Sequence, residues 1–504
     1  MSRARLHPAT RIVALAGLAA AVCAGGTSAA GAAPSARLCV GAKPGCFATV
    51  QAAVDAAHDG DTIELGIGTF QGGVTIDKSV EVVGVSAAAT IIRGGGPVVT
   101  IGEFAGANEL QVAISRVTIT GGVNDTAGLA AGGGIWIPQS TGRATGAAVT
   151  IADSVITGNR AAPKATFSSP APCGIPFDEC AFALGGGIAN AGRLTLTDTR
   201  VSDNVAGSAA TTSSASGGGI TNGRQGTLTL IRSTVSGNRA QVDAPNGRFT
   251  FGGGISSDGA LTLDDSVVSG NTSAVATSMP SFFPFDVEQE ANAGGIYLPA
   301  GSFATIRGSR ITGNSVGSSN TAGDVEAESG GIDADGSLLL IDSSVDHNTV
   351  TGTVPAVSGL LVETDSGGIQ VQGDTILRNS RISDNTVTAT SAAGTAIGAG
   401  GAINNLSADL TLERTVVTGN AASATGVAGF NLGGGISNVA FNGPVPQLTL
   451  TDSVIAGNRL IASAGIASHG GGLYTTDPFG GGPFPVTLAR TVIAGNRPDQ
   501  CVGC

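Results

Sequence analysis

Three successive stretches of the 504-residue chain carry acidic residues where comparable stretches carry apolar ones. The acidic residues are Glu290, Asp324, Glu326, Glu328, Glu363 and Asp365. Carboxylate oxygens are the ligands that Ca²⁺ prefers, and close like charges raise one another's pKa or recruit a cation. The pattern therefore predicts a calcium site built from these residues. The alternative that the sequence leaves open is a solvated acidic edge on variable loops.

Phenylalanines flank the acidic stretches. They are Phe249, Phe251, Phe282, Phe283 and Phe285. An exposed aromatic ring offers a large, flat apolar face on which a sugar ring can stack. These five residues are therefore predicted to bind a substrate beside the acidic stretches.

An internal repeat sets the elements that must position these residues. A Gly-rich tetrapeptide that ends in Ile or Leu recurs ten times, and each copy closes on an Asn about 37 residues after the last. The ten residues are Asn159, Asn204, Asn238, Asn271, Asn314, Asn348, Asn385, Asn420, Asn458 and Asn496. Within a copy the apolar positions alternate, as in Leu228 and Leu230, which is the periodicity of a short β-strand. The ten asparagines fit turns with a positive φ, and their amides can bond from one copy to the next.

Short strands at this spacing, without helices between them, predict an all-β fold. We expect a single-stranded right-handed parallel β-helix of about 11–12 coils, each coil stacked on the next at ~4.8 Å. Glu290, Glu326 and Glu363 would then form one column. Straight extension from the following Ile would point them inward, so the Gly-rich segment must bend the chain.

The start of the stack is predicted to be closed by a helix. Apolar residues at Val50, Ala53, Val54 and Ala57 mark one helical face, which ends near Gly60. A helix across the first coil would cover its open strand edges. We therefore place an N-terminal cap at about 39–60.

The N-terminus and the cysteines indicate a secreted protein. Residues 1–33 combine a basic start, a short apolar run and small residues, which is typical of a signal peptide and leaves 34–504 as the β-helix domain. No later segment could span a membrane. The chain after this segment contains six cysteines in three local pairs. Each pair is predicted to form a disulfide: Cys39 with Cys46, Cys173 with Cys180, and Cys501 with Cys504.

The composition excludes several classes of protein. The chain has 80 Gly without a Gly-X-Y period, which excludes collagen, and 41% hydrophobic residues, which excludes plain disorder. Only 4% of the residues are aromatic, which suits a narrow core. A net charge of −12 argues against a nucleic-acid partner, because phosphates demand a basic face.

The stretch FATVQAAVDAAHDGDTIELGIGTFQGGVTIDKSVEVVG resembles the amino-terminal region of secreted bacterial parallel β-helix proteins of the pectate-lyase-like superfamily. The repeats are also similar to the GGA[I/L/V] and FxxN motifs of chlamydial polymorphic membrane proteins, and Gly400-Gly401-Ala402-Ile403 matches the first motif outright. The resemblance covers about residues 40–498. The catalytic motifs of pectin methylesterases and pectate lyases are missing from the sequence, so no catalytic residue is carried over.

Two functional hypotheses follow. The first is a secreted protein that contacts an extracellular polysaccharide or another cell-surface component through the acidic and aromatic edge. The resemblance implies Ca²⁺-assisted lyase or hydrolase chemistry for such a protein. The second is a non-catalytic adhesin-like or structural surface protein, which the regular and motif-poor coils favour.

Overall fold

The computed structural model describes residues 35–504, except 103–108, 140–146, 165–166, 169–178, 208–213, 244–247, 279–288, 356–358, 441–443 and 479–481. Ala36–Cys504 form one compact unit. The predicted signal peptide, Cys173, Phe282, Phe283 and Phe285 lie outside the described residues.

The described chain winds as a parallel β-helix, in which each strand pairs in parallel with the equivalent strand of the next coil. Ten coils pass in order through five sheets, here numbered 1 to 5 along the coil. The first two complete coils and the last one omit sheets 3 and 4 in the part of the chain that the structure describes. Sheets 2 and 5 each contain 13 described strands, so the stack is slightly taller than the 11–12 coils expected.

Sheet 1 contains the strands Arg37–Val40, Thr62–Leu65, Glu81–Val83, Gln111–Ser115, Ala148–Ala152, Arg193–Thr197, Thr227–Ile231, Ala260–Asp264, Phe303–Arg307, Ser337–Ile341, Thr375–Arg378, Asp409–Glu413, Gln447–Thr451 and Val486–Ala489. Sheet 2 contains Gly68–Gln71, Thr90–Arg93, Thr118–Thr120, Val155–Thr157, Arg200–Ser202, Thr234–Ser236, Val267–Ser269, Arg310–Thr312, Ser344–Asp346, Arg381–Ser383, Val416–Thr418, Val454–Ala456 and Val492–Ala494. Sheet 3 contains Val123–Asn124, Arg160–Ala161, Val205–Ala206, Arg239–Val242, Thr272–Thr277, Ser315–Asn320, Thr349–Val354, Thr386–Ser391, Ala421–Thr425 and Arg459–Ala462. Sheet 4 contains Leu129–Ala131, Phe182–Leu184, Ser214–Ser216, Phe249–Phe251, Gln289–Asn292, Val325–Glu328, Leu361–Asp365, Thr395–Ala399, Ala428–Leu432 and Ala467–His469. Sheet 5 contains Val74–Ile76, Val99–Ile101, Ile135–Ile137, Ile188–Asn190, Ile220–Asn222, Ile255–Ser257, Ile296–Leu298, Ile332–Ala334, Ile369–Val371, Ile403–Leu406, Ile436–Val439, Leu473–Tyr474 and Cys501–Val502. A separate antiparallel pair joins Phe167–Ser168 to Glu179–Cys180.

The predicted capping helix is confirmed and spans Val50–Ala56. It begins after Thr49, whose side-chain oxygen accepts a hydrogen bond from the backbone N–H of Ala52 at 3.1 Å. Val50 and Val54 are buried and face the first coils, where the helix packs against Val74–Ile76. The helix thus covers apolar surface that would otherwise be open at this end of the stack.

The core has two parts. Sheets 1, 2 and 5 enclose columns of buried Ile, Leu and Val, such as Ile188, Ile220 and Ile255, which pair one above the other. Sheets 3 and 4 pack on each other through a thinner layer rich in Ala, including Ala183 and Ala240. Each of the ten five-sheet coils is therefore a broad three-sheet core with a narrow two-sheet arm, and small residues in the arm let its two backbones lie close together.

The repeated asparagines form a buried ladder inside the stack. The side-chain amide of Asn314 donates to Val268 O at 3.0 Å and to the side-chain oxygen of Asn348 at 2.9 Å. Its own side-chain oxygen accepts from the backbone N–H and the amide of Asn271. The predicted coil-to-coil bonds are present, but the expected positive φ belongs to the preceding residue, as in Gly313 (φ 64°) and His347 (φ 57°). That residue makes the turn, which leaves the asparagine free to point inward.

Two of the three expected disulfides join described residues. Cys39 is bonded to Cys46 and Cys501 to Cys504. The third pair involves Cys173, which lies outside the described residues. Cys39 lies in the first strand of the stack and Cys501 in the last.

Candidate functional site

A concave corner forms where sheet 4 leads into sheet 5. One residue in each coil takes a positive φ there, namely Ala293 (47°), Ser329 (52°) and Ser366 (52°) in three successive coils. The next residues in the chain are glycines, because the backbones of neighbouring coils are in contact there. A methyl group on Gly330 would lie 2.6 Å from the carbonyl oxygen of Gly367. This bend changes which side chains face outward, so the acidic positions leave the core as the sequence required.

The acidic positions stack in register across the three coils. Glu290 pairs with Glu326 and Glu326 with Glu363, while Asn292 pairs with Glu328 and Glu328 with Asp365. Two parallel columns of polar side chains therefore run along the outer face of sheet 4, with ~4.8 Å between successive members.

The outer face of sheet 5 forms the second wall of the corner. Tyr297, Asp333 and Gln370 stack there at the position that follows the buried Ile of each Gly-rich motif. We call the two columns on sheet 4 together with these three residues the acidic corner. The ring of Tyr297 lies against Phe251 of sheet 4, with 4.9 Å between ring centroids, which shows that the two walls meet.

Burial distinguishes the acidic corner from a solvated edge. Glu328 is 6% exposed, Asp365 4% and Asn292 2%, while Asp333 and Gln370 have no exposed surface. The other column, formed by Glu290, Glu326 and Glu363, is half-buried. The solvated acidic edge that the sequence left open is therefore wrong for the inner residues, because the second wall removes them from water.

Burial and mutual repulsion shift the acidities of the corner. The pKa of Glu328 is raised well above its usual range, first by burial and then by Asp333 and neighbouring carboxylates. The pKa of Asp333 is raised in the same way by burial and by Asp335. Burial, together with Glu363, also raises the pKa of Asp365. A carboxylate that leaves water without a cation holds its proton more tightly.

The carboxyls of Glu328 and Asp333 face each other across the corner. Two carboxyl groups can hydrogen-bond only when one of them carries a proton. Burial also raises the pKa of Tyr297, as do Asp333, Asp335 and Glu290, so its hydroxyl stays protonated and lies 3.4 Å from a carboxyl oxygen of Asp335. The corner thus brings several acidic groups of raised pKa into a small volume.

Several buried polar atoms along this wall have no hydrogen-bond partner among the described residues. They are Asn292 Oδ1, both side-chain oxygens of Asp333, both polar side-chain atoms of Gln370, and Asn404 Oδ1. The shared proton with Glu328 can satisfy one oxygen of Asp333. Gln370 is fully buried and neither donates nor accepts a side-chain bond within the described protein. Such atoms are rare in folded proteins, and each calls for an external partner.

Aromatic side chains close one end of the acidic corner. Phe249 pairs in register with Glu290, and Phe251 with Asn292. The rings of Phe249 and Phe251 are stacked with centroids 6.0 Å apart, and both are half-buried. The structure thus brings these two predicted residues next to the acidic columns.

Asp324 does not share the arrangement of the other predicted calcium ligands. Its carboxylate accepts a hydrogen bond from the backbone N–H of Leu361 at 2.7 Å, which ties two coils together. Among the described residues, no group of three or more His, Cys, Asp or Glu side chains is placed to hold a metal ion. The remaining carboxylates have the oxygen donors that Ca²⁺ requires, but they are distributed along three coils.

A second depression lies on the outer face of sheet 1. It encloses about 520 Å³ and is lined by residues such as Glu81, Arg193 and Thr195. Its charged side chains are exposed rather than buried. The acidic corner, with buried carboxyls of raised pKa, is the stronger candidate for a functional site.

Sequence reasoning found one wall of the acidic corner and missed the other. Tyr297, Asp333 and Gln370 each follow the Ile of a Gly-rich motif, where other copies carry Trp136 or Ala189. Other copies also carry polar residues there, such as Thr221 and Asn404, so the one available signal was the acidic side chain of Asp333 in a copy that also contains an acidic pair.

Comparison with known proteins adds little beyond the fold. No family model matches the chain, and no curated protein matches it. No helix within the described residues is long and apolar enough to cross a membrane. Among solved structures, the chain is similar to the A-module of the Azotobacter vinelandii mannuronan C-5 epimerase AlgE6. The likeness has 14% identity and a TM-score of 0.39, and it covers 89% of this chain and 95% of that module.

Proposed function

We propose that the acidic corner binds an extended extracellular polysaccharide. The observation that carries this proposal is the unbroken line of aligned side chains from Phe249 through Glu290 and Glu326 to Glu363. A polymer laid along the stack would meet an equivalent polar group at every coil and aromatic faces at one end. The signal-like segment 1–33 and the local disulfides support secretion, and the motif resemblance supports membership of the pectate-lyase-like superfamily.

Removal of an aromatic face tests glycan binding. Phe251→Ala should weaken the binding of soluble oligosaccharides about tenfold, because it deletes the ring that packs on Tyr297 and adjoins the columns. Phe303→Ala is the matched control, since Phe303 is an exposed ring on sheet 1, away from the corner. Titration calorimetry on a panel of neutral, acidic and amino-sugar oligosaccharides supplies the affinities. Equal losses in both variants, or no binding to any glycan, would reject the proposal.

Cleavage of the bound polymer is a second candidate function. It is favoured by the contrast between Glu328 and Asp333, whose pKa is raised by burial, and the half-buried carboxyl of Glu326 beside them. A protonated carboxyl can donate to a leaving oxygen while an ionised one accepts a proton from water. New reducing ends without unsaturated ends indicate hydrolysis, and unsaturated ends indicate a lyase. Binding without either product favours the adhesin-like alternative.

Calcium remains a proposal for the half-buried column. The carboxylates of Glu290, Glu326 and Glu363 would supply its ligands, and the ion would offset their mutual repulsion. Millimolar Ca²⁺ should raise the melting temperature of the protein, and the double variant Glu326→Gln with Glu363→Gln should abolish that rise. Glu64→Gln, which removes an exposed carboxylate on sheet 1, should leave it unchanged. An unchanged melting temperature in the unmodified protein would reject this calcium site.

A further inference from the structure

We propose that the polysaccharide bound in the acidic corner is an amino-sugar polymer with free amino groups. This inference rests on the proposed function and specifies the chemical class of the polymer.

The first argument is the imbalance between donors and acceptors on the walls of the corner. The buried atoms without a described partner include acceptors on Asn292, Gln370 and Asn404 and the Asp333 oxygen that does not face Glu328, but only one amide donor, on Gln370. A ligand that satisfies them must bring donors. An ammonium group brings three donors and no acceptor, whereas a uronate carboxylate brings acceptors alone.

The second argument is charge. Within the described part of the two walls, from Phe249 to Asp365 on sheet 4 and from Tyr297 to Gln370 on sheet 5, every titratable side chain is a carboxyl or a phenol. A polyanionic chain would place carboxylates against carboxylates in a poorly hydrated corner. A polycation is attracted there, and the attraction exceeds that at an exposed surface because water screens it less.

The third argument is the repeat. The carboxylates of Glu290, Glu326 and Glu363 recur at each coil with ~4.8 Å between them, so a polymer with one ammonium per sugar can engage several at once. Phe249 extends the same line, and Phe251 and Tyr297 lie beside it. Their ring faces attract a cation as well as an apolar sugar face.

Binding of a cation should expel protons from the corner. Burial raises the pKa of Glu328, Asp333 and Asp365, so these carboxyls bind protons more tightly in the free protein than exposed carboxyls do. The groups that face them are Glu290, Glu326, Glu363, Asp335 and Tyr297. An arriving ammonium favours the ionised carboxylates and lowers their pKa again. The affinity should therefore rise with pH until the amine of the ligand itself loses its charge.

The experiment compares three hexasaccharides by titration calorimetry at pH 6. They are β-1,4-linked glucosamine, its fully N-acetylated form and oligogalacturonate. We expect the glucosamine hexamer to bind at least tenfold more tightly than the acetylated one, with proton release visible as a dependence of the heat on buffer ionisation enthalpy. Glu328→Gln should reduce the proton release, and Glu326→Gln with Glu363→Gln should weaken binding about tenfold. Glu64→Gln should change neither quantity.

The outcomes separate this inference from the proposed function. Equal affinity for the acetylated and free-amine hexamers would overturn the amino-sugar inference and leave polysaccharide binding intact. Tighter binding of oligogalacturonate, above all in the presence of Ca²⁺, would overturn it in favour of a calcium-bridged acidic polymer. No binding to any of the three, or to the wider panel, would reject the proposed function itself. The ligand comparison uses the unmodified protein, so it stands even where a variant fails to fold.

Discussion

The asparagine ladder and the acidic corner are both columns of buried polar side chains, but they differ in what satisfies them. Asn314 donates two side-chain bonds and accepts two, all within the stack. Gln370 in the corner is equally buried and makes no side-chain bond within the described protein. The hydrogen bonds of the ladder are complete without a ligand, whereas the corner contains buried polar atoms without a partner in the described protein.

This difference indicates that the ladder serves the stability of the fold and that the acidic corner serves function. A fully bonded polar column specifies the register of the coils and contributes to folding. A column of buried carboxyls with raised pKa lowers stability at neutral pH, and proteins retain such costs chiefly at functional sites. Variants in the two columns should therefore change stability in opposite directions.

The largest expected effect is on the ladder. Asn314→Ala removes the side-chain bonds to Val268, Asn348 and Asn271 and leaves the buried backbone N–H of Asn271 without its acceptor. The free energy of unfolding should fall by about 3 kcal/mol or more. Urea denaturation at pH 7 measures it, and Thr305→Ala, a half-buried position on sheet 1, is the control and should stay within about 0.5 kcal/mol. A loss no greater than that of the control would show that the ladder does not stabilise the stack.

The ladder and the column on sheet 4 could be predicted because they repeat in the sequence. The interval between successive asparagines fixed the coil, and once the coil was known Glu290, Glu326 and Glu363 had to align. The positive φ was assigned to the wrong residue, since a pattern of residue types shows that a turn exists but not which residue makes it.

The second wall could not be predicted in the same way. Asp333 and Gln370 reach the carboxyls of sheet 4 only because Ser329 and Ser366 adopt the left-handed conformation and fold one sheet toward the other. The sequence predicted a bend at the Gly-rich segment, but serine rarely adopts that conformation, so the residue types do not show that Ser329 and Ser366 make the bend. Burial of the corner, and with it the raised pKa values, depends on this tertiary arrangement.

A variant in the acidic corner should increase stability. The folded pKa of Glu328 is raised above its unfolded value of 4.5, so the native state binds more protons than the unfolded chain above that pH, and stability falls as pH rises. Glu328→Gln keeps the shape and removes this loss, so it should stabilise the protein by about 1 kcal/mol or more at pH 7. At pH 4 the two proteins should be nearly equal. Urea denaturation across this range is the measurement, and destabilisation at both pH values would contradict the assignment.

The smallest effect is expected at a carboxylate that is satisfied like the ladder asparagines. Burial alone would raise the pKa of Asp346, but hydrogen bonds from Arg310, at 2.7 Å, from Thr312 and from other neighbours bring it well below its usual value. The ionised carboxylate of Asp346 therefore stabilises the folded protein above the unfolded pKa of 3.8, and this stabilisation is lost as the pH falls below it. The pH dependence is opposite to that expected from Glu328.

Asp346→Asn should therefore lower stability at pH 7 by only about 1 kcal/mol, because Arg310 is half exposed and water screens the pair. The same variant should flatten the acid limb of the stability curve, while Glu328→Gln flattens the neutral limb. If both variants flattened the same limb, the two carboxyls would share one electrostatic environment. The contrast between a polar group satisfied by the protein and one that requires a ligand would then not hold for the carboxyls of this stack.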